Sequence, residues 1–119
     1  MKEKIAELQT RTKKFALRII TLYSHLPKKT DAQVIGRQLL RSGTSVGANY
    51  REAFRARSNA EFIAKVGICL SELEETSYWL ELLIEANIVP SARLGLLLDE
   101  CKQLIAIFVT IVKNVKKEI

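Results

Sequence analysis

Proline and glycine are scarce in this chain, with 2 and 5 among 119 residues. So little punctuation argues against a fold of many strands and turns and favours long helices. The two cysteines, Cys69 and Cys101, are too few for a disulfide framework and read as the reduced, packed thiols of a cytoplasmic protein. The only histidine, His25, stands near the end of a helical segment and leaves no Glu-x-x-His pair, so a di-iron centre is unsupported. A zinc site on the two cysteines would lack its other ligands. The most apolar run, "LIAIFVTIV" at 104–112, falls well short of the ~20 residues a spanning helix needs. The start, "MKEKIAELQT", is charged and has no apolar signal region. The expectation is a protein with no membrane contact, metal or cofactor. Catalysis is not expected either, because Glu72, Glu74, Glu75, Glu81 and Glu85 are spread around one helical segment rather than paired.

What is present is enough apolar sequence for one packed domain over 1–119, with 48% hydrophobic and 27% charged residues. The net charge of +6 is unevenly spread: residues 1–30 carry +6, residues 31–57 carry +3 and residues 58–89 carry −5. Such asymmetry suits a polyanionic partner, and equally suits head-to-tail association of copies.

Apolar residues recur at i, i+3, i+4 and i+7 through nearly the whole chain. A first helix over 3–26 aligns Ile5, Leu8, Thr12, Phe15, Ala16, Ile19, Leu22, Tyr23 and Leu26, and Pro27 ends it. Thr30 or Asp31 then fits as cap of a second helix over 31–57. Ser58 with Glu61 forms a capping box for a third helix to Ala86, burying Phe62, Val66, Cys69, Leu73, Leu80 and Ile84. Ser91 is the expected cap of a fourth helix to about Lys117, burying Leu94, Leu98, Cys101, Ile105, Phe108, Val112 and Val115. Four helices with short connections predict an all-α, up-down-up-down antiparallel bundle.

The stretch "RSGTSVGANYREA" at 41–53 admits three readings. It lacks the G-x-x-x-x-G-K-[ST] pattern of a phosphate loop. A helix-turn-helix bent at Gly43, presenting Ser45 to Arg55, predicts a dimeric regulator that prefers palindromic DNA. On a continuous helix, however, Gly36, Leu40, Gly43, Gly47, Tyr50 and Phe54 share one line, and the periodicity passes through Gly43 unbroken. Each glycine costs a helix ~1 kcal/mol relative to alanine. Close packing of a neighbouring helix against Gly36, Gly43 and Gly47 is the expected compensation. Arg37, Arg41, Arg51 and Arg55 line the other side.

"QLLRSGTSVGANYREAFRARSNAEF", with "YWLELL" following, resembles the bacterial four-helix-bundle family named after the 23S rRNA intervening-sequence protein. The resemblance covers nearly the whole chain. Many members read N-I-A-E-G where this chain has Asn49, Tyr50, Arg51, Glu52 and Ala53. It implies a bundle that self-associates, with pentamers known among members. A related bundle serves as a nucleic-acid-binding accessory to a reverse transcriptase. For most members no biochemical function is assigned.

Two surfaces follow from the residues. Arg37, Arg41, Arg51 and Arg55, with Lys13, Lys14 and Arg18 of the first helix, form a candidate contact for RNA or DNA phosphates. The alternative is that these arginines pair with the acidic third helix, in a structural or protein-binding scaffold. Ile68, Tyr78, Trp79, Leu82 and Ala86, with Ile107 and Ile111, fall outside the core stripes and form a candidate oligomer interface.

Overall fold

The computed structural model describes residues 2–118, with side chains from Ala6 to Glu118; the side chain of Ile5 lies outside them. Four helices follow in order: α1 (Lys2–Ser24), α2 (Thr30–Phe54), α3 (Asn59–Glu85) and α4 (Ser91–Lys117). They form an up-down-up-down bundle measuring 48 × 21 × 19 Å. Neighbours in sequence are neighbours in space. The α2/α3 seam is the most extensive, followed by α1/α2 and α3/α4, and α1 meets α4 over only a few residues.

The local signals that stop and start these helices are mostly those expected. Pro27 follows a tight last turn in which the amides of His25 and Leu26 donate to Leu22 and Tyr23. Ser58 caps α3: its Oγ accepts from Glu61 N at 3.1 Å, while Glu61 Oε2 accepts from Arg57 N at 3.1 Å. That satisfies two amides reciprocally. Two expected caps are displaced by one position. Lys29 and Pro90 take the extended cap conformation, so Thr30 and Ser91 are already helical and neither cap residue makes a side-chain cap bond. Asp31 instead lies inside the first turn. Helix α3 ends with Asn87 in the left-handed region at φ 58°. Its amide reaches Ile84 O at 3.0 Å and that of Ile88 reaches Leu83 O at 3.0 Å, which closes the terminal carbonyls as a Schellman motif does.

Helix α2 runs unbroken through Gly43, and no glycine of the described residues has a positive φ. The turn that a helix-turn-helix would need is therefore absent from this stretch. The glycine line faces α1. A β-carbon on Gly36 would come within 2.6 Å of Leu26 Cδ1, one on Gly43 within 2.8 Å of Ile19 Cγ1, and one on Gly47 within 3.3 Å of Thr12 Oγ1. Missing β-carbons thus let α1 lie close along α2.

The core runs the length of the bundle through Phe15, Ile19, Leu39, Val46, Tyr50, Leu73, Leu80, Leu104 and Phe108. Tyr50 meets Phe108 edge-on, with ring centres 5.1 Å apart. Polar atoms inside are satisfied locally: Thr76 Oγ1 lies 2.9 Å from Ser42 Oγ and 2.7 Å from Glu72 O. Cys69 and Cys101 are buried and donate to Val46 O and Leu73 O. Burial pushes each thiol up to about 12, away from metal-binding or nucleophilic chemistry.

Candidate nucleic-acid and association surfaces

The outer side of α2 carries Arg37, Arg41 and Arg51, and Arg55 is its C-cap, because the helix ends at Phe54 rather than at the expected residue 57; all four are exposed. Their environments differ. Arg41 lies on the flank nearest α3, where its guanidinium pairs with Glu72 Oε2 at 3.3 Å and with Glu75 Oε1. The hydrogen bond from Arg41 holds the Glu75 carboxyl below its ordinary range, helped by one from Trp79 Nε1 at 3.3 Å. Arg37, Arg51 and Arg55 make no ion pair among the described residues. Nearby Glu52 is held by Lys65 at 3.1 Å. Three arginines thus face water with the local carboxylates already engaged.

The cations expected from α1 do not form one patch with them. Lys13 and Arg51 face each other across a groove between α1 and α2, floored by Thr12, Ala16, Thr44, Gly47 and Ala48. The small residues that bring the helices close also keep this groove open. Arg18 lies on the other flank of α1, in a cleft with His25 and Arg93 against α4. Lys14 is exposed, and helical geometry puts it on Arg18's side rather than Lys13's. His25 sits one residue past α1, its Nδ1 2.8 Å from Thr21 O. No group of three or more metal-ligating side chains occurs among the described residues.

The apolar candidates also divide. Ile68 is 43% exposed and Tyr78 54%, Trp79 and Leu82 are half-buried, and Ala86 is exposed. Ile68, Trp79, Leu82 and Ala86 fall on the outward side of α3, and Tyr78 packs edge-on against Trp79 at 5.0 Å. Ile111 is a correction: it is 8% exposed and belongs to the core, because α4 buries a face wide enough to take it in beside Phe108 and Val115. Ile107 is half-buried and faces a cleft shared with Leu8 and Arg11 of α1. This is the sparsely packed α1/α4 seam, clasped by an Arg11–Glu100 ion pair.

Two features escaped the sequence reading. Phe54, on the glycine line, is 50% exposed, because periodicity does not say where along a stripe the covering neighbour stops. Arg57, two residues beyond the C-cap Arg55 of α2, lines a cleft with Phe54 at the same end of the bundle.

These four helices, their short connections and the absence of strands among the described residues define an antiparallel four-helix bundle. The chain belongs to the 23S rRNA-intervening sequence protein family, whose model matches residues 5–110. It is similar to a crystallised protein of unknown function from the S23 ribosomal protein family of Bacteroides thetaiotaomicron. The two share 38% identity over 92% of this chain and 98% of that one, with a TM-score of 0.86. No protein of curated function matches this chain. Among the described residues, no helix is long and apolar enough to cross a membrane.

Proposed function

We propose that this chain is a non-catalytic, self-associating bundle that binds nucleic-acid phosphates through the cations of its α1/α2 side. One observation carries the reading: Arg37, Arg51, Arg55 and Lys13 are exposed without a carboxylate partner among the described residues, while Glu52 beside them is held by Lys65 and Glu72 and Glu75 by Arg41. Unneutralised cations along one side attract a polyanion and gain by releasing its counterions. Assembly would repeat that side around several copies and raise avidity without new contacts. The outward apolar residues of α3 and the open α1/α4 seam are two different surfaces, which supports head-to-tail association. Such contacts close into a ring when the rotation allows, and the family resemblance suggests five copies.

The competing reading is a scaffold for proteins, favoured by one specific contact: Arg41 is engaged by α3 within the protomer. The test is fluorescence anisotropy with labelled RNA and duplex DNA, on wild type and Arg37→Glu/Arg51→Glu/Arg55→Glu. Binding abolished in the variant, with light scattering unchanged, supports phosphate contact. No binding by wild type at low salt leaves the scaffold reading.

A further inference from the structure

The end of the bundle where α2 passes into α3 holds a cleft of about 360 Å³, within the range of small-ligand sites. Its walls include Phe54, Phe62, Arg57, Ser58, Asn59 and Glu118. Phe54 is the half-exposed last residue of α2, and Phe62 is half-buried. Neither ring packs on another aromatic ring among the described residues. A lone exposed phenyl ring means little. This one follows Arg51 by three positions, precedes Arg55 by one and shares the cleft with Arg57. None of these arginines has an ion-pair partner among the described residues.

An exposed aromatic ring with cations close to it in the chain and in its cleft is an arrangement that can hold single-stranded nucleic acid. Every base offers a π-face to stack, and cations take the flanking phosphates. A duplex hides those faces within its own stack. We infer that this cleft takes one unpaired base of a single-stranded nucleic acid, stacked on Phe54, with adjoining phosphates on Arg51, Arg55 and Arg57. The inference rests on the phosphate-binding reading above and adds a strand preference to it. The chemistry of the rim fits a base. Asn59 offers a donor and an acceptor to its edge. The Glu118 carboxylate accepts from an exocyclic amine and repels phosphate, so the backbone lies on the arginine side.

The experiment measures anisotropy of fluorescein-labelled single-stranded 15-mer RNA, the same strand with abasic spacers, and the 15-base-pair duplex. Wild type, Phe54→Leu and Arg51→Gln are compared at one salt concentration. Leucine keeps apolar bulk at a half-exposed site, so folding is retained, and a thermal melt checks this. The expected result is tighter binding of the single strand than of the duplex by wild type. Phe54→Leu then weakens the single strand by roughly 5- to 100-fold and leaves duplex and abasic binding unchanged. Arg51→Gln weakens all three. If wild type binds nucleic acid but Phe54→Leu binds the single strand as wild type does, or the duplex is preferred, the stacking inference is overturned and phosphate binding stands. If wild type binds none of the three probes, both readings fail.

Discussion

Gly43 packs directly on Ile19: a β-carbon built on Gly43 would lie 2.8 Å from Ile19 Cγ1 and 3.0 Å from Cγ2. Ile19 is fully buried and cannot swing into solvent. The sign of a glycine-to-alanine change should therefore depend on position. Gly43→Ala gains ~1 kcal/mol of helix propensity but overpacks the α1/α2 seam at about 1–3 kcal/mol, for a net loss. At Gly67 and Gly95 the same position meets no atom of another element within 4 Å among the described residues, so Gly67→Ala and Gly95→Ala should each stabilise by up to about 1 kcal/mol. Urea melts of the three variants read this directly, and uniform effects would contradict the close-packing account.

The buried thiols give a second expectation. Cys69 and Cys101 donate to main-chain carbonyls inside the core, with both thiols pushed up to about 12 by burial. A thiol-reactive reagent at pH 8 should label neither in the native protein and both in guanidinium. Rapid native labelling of either cysteine would show that the core opens readily there.

Acid should weaken one cross-helix contact. The Arg41 hydrogen bond holds the Glu75 carboxyl below its ordinary range in the folded state. A depressed carboxyl stabilises the fold above its unfolded pKa, and that contribution is lost as pH falls through the lower native value. Both side chains are substantially exposed, so the pair contributes below about 1 kcal/mol. Arg41→Gln should be slightly less stable than wild type at neutral pH and equal to it in strong acid. A difference that persisted unchanged into strong acid would exclude the ion pair as its cause.

Self-association has its own variant. Ile68 is exposed on α3 and can accept a charge without disturbing the core, so Ile68→Glu should keep the helical melt of wild type. Light scattering should then report a smaller particle, because an interface core tolerates an unpaired charge poorly. An unchanged mass would remove the outer side of α3 from the interface.

The bundle was legible because each helix carries a long apolar stripe and few breakers interrupt it. The glycine line on α2 was legible for the same reason, since Gly36, Gly43 and Gly47 share a face only if the helix is continuous. Finer points depended on information absent from spacing. The caps at Lys29 and Pro90 turn on one residue's backbone angle, in stretches where several neighbours could serve. Arg41's pairing with Glu72 and Glu75 requires the register of α2 against α3. The split of Lys13 from Arg18 requires knowing that α2 and α4 flank α1 on opposite sides. Ile111 lay at the edge of a stripe whose width only the neighbouring helices define.

The most direct measurement is the salt dependence of RNA binding by wild type and by Arg51→Gln. Phosphate contact predicts a linear fall of log affinity with log salt, with a slope of roughly −0.7 per phosphate neutralised on a single strand. Removing one contacting cation should make the slope shallower by about 0.7 and lower affinity at every salt concentration below the crossing. A slope and affinity identical in the two proteins, or no binding by wild type at low salt, would contradict the claim that Arg51 and the exposed cations beside it contact nucleic-acid phosphates.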